Sequence, residues 1–235
     1  MSELTAVMSP EPHDGPVVAL LLHGYGSSED DLAGLAPHAV PGLPWASLRA
    51  PLTLDPGSYA WFHVITPGDP ALEPVAAATD AIWELVDTHL DASTQLVPIG
   101  FSQGGLMATE LPRTRPNRVA ATVVLGGFVQ GAERPADGLL ADALPPLFWG
   151  RGSQDTVIAP IAVARTEAWL LSHSTLTRRT YPGLAHAINA DEARRRPRVR
   201  TSDRRPVSSA ALVRRSRGCL LRLPRGRTRT VYGCA

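Results

Sequence analysis

Gly100-Phe101-Ser102-Gln103-Gly104-Gly105 is the stretch from which the rest of the chain can be read. It follows the apolar run Leu96-Val97-Pro98-Ile99 and precedes Leu106-Met107-Ala108-Thr109-Glu110-Leu111, which reads as the start of a helix. Strand, Gly-x-Ser-x-Gly, then helix is the context of a nucleophile elbow. A serine at the tip of so sharp a turn takes a strained backbone conformation, and side chains two residues to either side would collide with strand and helix. Glycine removes the collision, so the hydroxyl projects above the sheet edge. The spacing makes Ser102 the candidate nucleophile, with a structural turn serine as the competing reading.

Outward from the elbow, apolar runs and amphipathic segments alternate. Val17-Val18-Ala19-Leu20-Leu21-Leu22 is an unalternating apolar run, as expected of a strand buried on both faces of a parallel sheet, and it ends in His23-Gly24-Tyr25-Gly26. The acidic Glu29-Asp30-Asp31 opens a short helix through Ala39. Trp45 to Ala50 reads as a strand, and residues 51–70, rich in Pro and Gly, as a long loop with a binding role. From Leu72 to Leu90 the pattern is helical, with Ile82, Leu85, Val86 and Leu90 on one face and Asp80, Glu84 and Asp87 on the other. Further strands are expected over Arg118–Leu125, Pro145–Gly150 and Leu176–Tyr181. A helix over Ile161–Leu171 carries Ile161, Ala164, Ala168 and Leu171 as its inward stripe. This alternation argues for an α/β fold, a mostly parallel sheet with helices on both faces. Pro98 conflicts with it locally, because proline removes a ladder hydrogen bond from a central strand.

In such a sheet the active site forms beyond the carboxyl ends of the strands. Ser102, Asp155 and His186 each follow a strand, in the order Ser, Asp, His. A serine hydroxyl is a weak nucleophile at neutral pH, so an imidazole must take its proton, and a buried carboxylate must orient that imidazole. Asp155 also fits a helix cap; Asp137 and Asp142 compete less well, since they precede a strand rather than follow one. Of the seven histidines, His186 alone follows the final strand; His23 reads as shaping the first loop and His63 as a surface or pocket-rim residue. The oxyanion of a tetrahedral intermediate needs two amide donors. The backbone N–H groups of Gln103 and Tyr25 are the candidates. No HExxH, CxxC or P-loop pattern occurs, so no metal or nucleotide cofactor is expected.

These residues carry a resemblance. Leu22–Gly26, Trp61-Phe62, the 100–105 block, Gly126-Gly127-Phe128, Gly152–Val157 with Pro160, and Gly183-Leu184-Ala185-His186 are similar to the carboxylesterase/phospholipase family of α/β-hydrolases. The resemblance spans about residues 17–188. It implies an α/β-hydrolase that cleaves esters or thioesters of short to medium acyl chains without a cofactor, often as a dimer. Trp61 and Phe62 are the substrate-binding candidates by their position in the aromatic 51–70 loop. His63 stands where the family shows an acidic residue, and the family continues past its histidine into an amphipathic helix that this chain does not spell out.

Charge divides the 235 residues. Up to residue 193 there are 9 Arg against 21 Asp and Glu; residues 194–235 hold 14 Arg and only Asp203. The expectation is a hydrolase domain over 1–193 and an Arg-rich tail over 194–235. Three readings of that tail stand side by side: a polyanion-binding arm, a disordered solvated segment, and a GC-rich gene read out of frame after Glu192. The last also accounts for the missing helix, and is preferred. It leaves an inactive or truncated hydrolase-fold protein as one alternative function, and polyanion binding as another. Otherwise the reading expects a small-molecule ester substrate and no nucleic acid. Both cysteines, Cys219 and Cys234, fall in the tail, so the body needs no disulfide framework. The N-terminus lacks the pattern of a signal peptide, and the apolar run at Val17 is too short to span a bilayer. A cytoplasmic location is expected.

Overall fold

The computed structural model describes residues 4–9 and 16–189. The Arg-rich segment 194–235, and with it the out-of-frame reading, lies outside the described residues. A seven-stranded sheet runs in the order β1-β3-β2-β6-β7-β8-β9, with β1 (Ala6–Met8), β2 (Val17–Leu22), β3 (Trp45–Leu48), β6 (Gln95–Phe101), β7 (Thr122–Leu125), β8 (Pro146–Gly152) and β9 (Thr175–Tyr181). Every pairing is parallel except that of β1 with β3. The short β1 was not legible in the sequence.

Strand residues alternate between two apolar layers, as the pleat requires. Ala19, Leu21, Val97, Ile99, Val123, Leu125 and Phe148 share one apolar cluster with residues of the short helices α1 (Asp30–Ala33) and α2 (Ala36–Ala39). Leu20, Leu22 and Leu96 face α3 (Leu72–His89) and α4 (Gln103–Thr114); Val124, Leu147 and Trp149 face Leu170 on α6 (Pro160–His173). A further short helix, α5 (Asp137–Ala143), lies between α4 and α6 in the chain. No helix among the described residues is long and apolar enough to cross a membrane.

Four details differ from expectation. The acidic 29–31 segment opens two one-turn helices rather than one continuous helix. Residues 51–70 are not all loop: β4 (Leu52–Asp55) and β5 (Ser58–Ala60) form an antiparallel hairpin, turned at Pro56-Gly57 with Gly57 at φ +80°. Pro98 is accommodated in an unbroken β6. Its pairing to β2 is continuous through Leu20, while pairing to β7 lapses between Leu96↔Val119 and Ile99↔Val123. The missing donor falls in that lapse.

The fourth difference is the face of α6. Ala162, Thr166 and Leu170 point inward, whereas Ile161 and Leu171 are 70% and 64% exposed. Small and apolar residues occupy both sides, so periodicity alone could not choose. Thr166 decides against the expected stripe: its hydroxyl donates to the Ala162 carbonyl and accepts from the Val129 N–H, which satisfies a polar group in the core. Adjacent leucines therefore provide a test by chemical denaturation. Leu170→Ala is expected to cost about 2–5 kcal/mol through a core cavity, and Leu171→Ala no more than about 0.5 kcal/mol. Equal losses would contradict the assigned face.

Candidate active site

The elbow joins β6 directly to α4. Ser102 adopts φ 54° and ψ −115°, one of two described non-glycine residues at positive φ. Its N–H donates to the Leu125 carbonyl at 2.9 Å, which ties the strained residue to the end of β7. The two flanking glycines are required by contact. A Cβ on Gly100 would overlap the Gly104 carbonyl, and a Cβ on Gly104 would overlap the carbonyls of Leu22 and His23. The first turn of α4 thus lies against the end of β2 more closely than any side chain permits.

Asp155 follows β8 in a tight turn. Its Oδ1 accepts from the N–H groups of Val157 and Ile158 at 3.0 and 3.3 Å, and its Oδ2 lies 2.8 Å from His186 Nδ1. Asp155 does not cap the following helix, whose N-cap is Ala159 without a side-chain bond; Oδ1 closes the turn before it, and Oδ2 faces the imidazole. His186 Nε2 lies 2.8 Å from Ser102 Oγ. A carboxylate only accepts, so Nδ1 carries the proton and Nε2 is left to accept from the serine hydroxyl. The imidazole is held by the chain before it: Gln154 N–H donates to the Leu184 carbonyl, Gly183 N–H to Ser153 Oγ, and Phe101 packs with ring centroids 4.9 Å apart. Such a line can shuttle one proton between a serine oxygen and an imidazole while the carboxylate stabilises the cation formed.

In the loop after β2, the Gly26 N–H donates to Tyr59 and the Ser27 N–H to Gly24. Among the described residues the N–H groups of Tyr25 and Gln103 meet no acceptor. His23 is fully buried and not a base for Ser102. Its Nδ1–H donates to the Gly24 carbonyl, its Nε2 accepts from Ala50 N–H at 3.0 Å, and Trp61 Nε1–H donates to its carbonyl. Glu29 and Arg49 brace the same loop: Arg49 Nε donates to Glu29 at 2.8 Å, Ser47 Oγ donates to the Glu29 carbonyl, and the guanidinium lies 4.6 Å over the Tyr59 ring. Their separation in sequence hid this brace.

Trp61 and Phe62 are buried and line a cavity of about 540 Å³ with Leu52 of β4 and Ala77, Ala78 and Ala81 of α3. His63 and Ile65 stand exposed at its edge, where a second cavity of about 430 Å³ adjoins it. Asp137, the rival carboxylate, is engaged instead by Arg113 at 2.8 and 2.9 Å. Asp142 is exposed. Among the described residues no group of three His, Cys, Asp or Glu side chains could hold a metal ion.

The model of the phospholipase/carboxylesterase family matches residues 2–195. The chain belongs to that family of hydrolases. Its fold is similar to that of the Bacillus cereus carboxylesterase, at 21% identity over 81% of this chain and 90% of that one, with a TM-score of 0.69. Esterase PE8 aligns at 22% identity over 82% and 95%, with a TM-score of 0.64. Arabidopsis thaliana SOBER1 aligns at 21% over 75% and 93%, with a TM-score of 0.60. No curated protein matches the sequence.

His23 generates a pH prediction. Burial, opposed by the Gly24 hydrogen bond and the nearby Glu29 charge, holds its imidazole below the ordinary value of 6.5. The unfolded chain then binds the proton more readily, so stability is full above 6.5 and declines as pH falls toward the lower folded value. Thermal melting from pH 7.5 down to 5 should show this decline, and a flatter one in His23→Gln. The same slope in both proteins would remove His23 as its cause.

Proposed function

We propose that this chain is a serine hydrolase cleaving carboxylic ester or thioester bonds of short to medium acyl chains through Ser102, His186 and Asp155. The observation that carries the reading is the unbroken line from Asp155 Oδ2 through both imidazole nitrogens to Ser102 Oγ, at 2.8 Å in each step. Ser102 Oγ attacks the acyl carbonyl carbon as His186 Nε2 takes its proton. The carbonyl oxygen becomes an oxyanion received by the N–H groups of Tyr25 and Gln103. Collapse of the intermediate breaks the bond to the alcohol or thiol, which leaves with the proton from His186. The acyl group stays on Ser102. Water, deprotonated by the same imidazole, attacks that acyl-enzyme, and the acid departs while Ser102 regains its proton.

Trp61 and Phe62 form the wall along which the acyl chain lies. The hydrolase domain occupies residues 1–193, acts on small molecules without a cofactor or nucleic acid, works in the cytoplasm, and pairs as a dimer as the family resemblance implies. Turnover of p-nitrophenyl butyrate tests the core of this reading. Ser102→Ala and His186→Ala should each lower kcat by about 10⁴-fold or more, and the double variant little further, because the residues act as one unit. Turnover that survives Ser102→Ala would refute it.

A further inference from the structure

Gln103 carries a second function in its side chain. The residue is 3% exposed and both ends of its amide are used. Oε1 accepts from the Trp61 N–H at 2.9 Å, and Nε2 donates to the Phe62 carbonyl at 2.7 Å. An N–H meets only an acceptor and a carbonyl only a donor, so these partners fix the orientation of the amide. The side chain thereby ties down the backbone of two consecutive residues. No regular element holds residues 61–62, since β5 ends at Ala60 and α3 begins at Leu72. Trp61 Nε1–H bonded to the His23 carbonyl is the other tie.

The wall so held faces the 540 Å³ cavity whose opposite side is Ala77, Ala78 and Ala81 of α3. Those alanines leave the space open, and its lining is mostly apolar. We propose that the Gln103 side chain is a positioning residue for acyl-chain selection, fixing the Trp61–Phe62 wall at a set distance from the nucleophile one residue away. This inference rests on the hydrolase reading above. It adds a role separate from the Gln103 backbone N–H, which any residue at this position would retain. Loss of the clamp lets the wall shift, which penalises a long acyl chain that fills the cavity more than an acetyl group that does not reach it.

The experiment compares kcat/KM for p-nitrophenyl octanoate and acetate in the full chain, as a ratio, between pH 6 and 8. His23, whose ring lies 5.7 Å from Trp61, is present in wild type and variants alike, so the wild-type ratio at each pH is the reference. Gln103→Met removes both hydrogen bonds at similar volume and should lower the ratio about tenfold at every pH. In Gln103→Glu an ionised carboxylate turns an oxygen toward the Phe62 carbonyl, and the ratio should fall at pH 8. Burial raises the pKa of such a carboxyl, and once protonated it has one acceptor and one donor, as the amide does. The ratio should recover toward the wild-type value at pH 6 in Gln103→Glu alone. A wild-type ratio in both variants, with Ser102-dependent turnover intact, overturns this inference and leaves the hydrolase reading standing. Wild-type protein that hydrolyses neither ester overturns both. If the Gln103 variants do not fold, Ala77→Trp on the exposed face of α3 fills the same cavity and should lower the ratio; an unchanged ratio there overturns the assignment of the cavity to the acyl chain.

Discussion

The approach of Gly104 to the carbonyls of Leu22 and His23 is the contact on which the site depends. β2 and β6 are neighbours in register, with Leu22 opposite Gly100, so their ends lie side by side. For α4 to begin at once after β6, its first turn must pass over the end of β2 with no Cβ between. Gly105 meets Gly127 in the same way across the start of the β7 loop. These contacts set Ser102 on a tight turn and bring the loop carrying Tyr25 alongside it. As at the start of any helix, the first N–H groups of α4 have no helical acceptors, which is the property an oxyanion site uses.

Much of this was legible because it is local. The elbow, its glycines and the strand–turn–helix context lie within a dozen residues, and parallel strands buried on both faces announce themselves as continuous apolar runs. The positions of Asp155 and His186 followed from a rule about strand ends rather than from their own surroundings. What the sequence lacked was the partner lists. Asp155 was weighed as either a helix cap or an imidazole partner, yet one of its oxygens closes a turn ahead of the helix while the other faces His186.

Where the reading failed, competing physics decided. On α6 the expected stripe of Ile161, Ala164, Ala168 and Leu171 passed over Thr166, whose hydroxyl has both an acceptor and a donor inside the core. In 51–70 the composition of a loop concealed two strands of four and three residues, too short for alternation to register. The side chain of Gln103 was overlooked for another reason. Its backbone already had a role, and its partners lie 41 and 42 residues away in sequence.

The far end of α4 is fixed by a different kind of interaction. Arg113 uses all five donors: Nε and one Nη2–H bind Asp137, the other Nη2–H the Ala132 carbonyl, and the two Nη1–H groups Glu110 and the Gln130 carbonyl. Burial raises the Glu110 pKa against the attraction of Arg113 and Arg134, whereas at Asp137 the hydrogen bonds from Arg113 and the Arg134 N–H outweigh burial and lower it. Such a cluster adds little net stability, but losing one member costs about 3–5 kcal/mol because charge is left uncompensated. Its consequence is positional. Gln130 also donates to the Pro70 carbonyl, and Gln130 and Ala132 line the second cavity while Trp61 and Phe62 line the first. One helix therefore presents Ser102 at its start and holds cavity walls from both ends, through neutral hydrogen bonds from Gln103 and a saturated guanidinium at the other end.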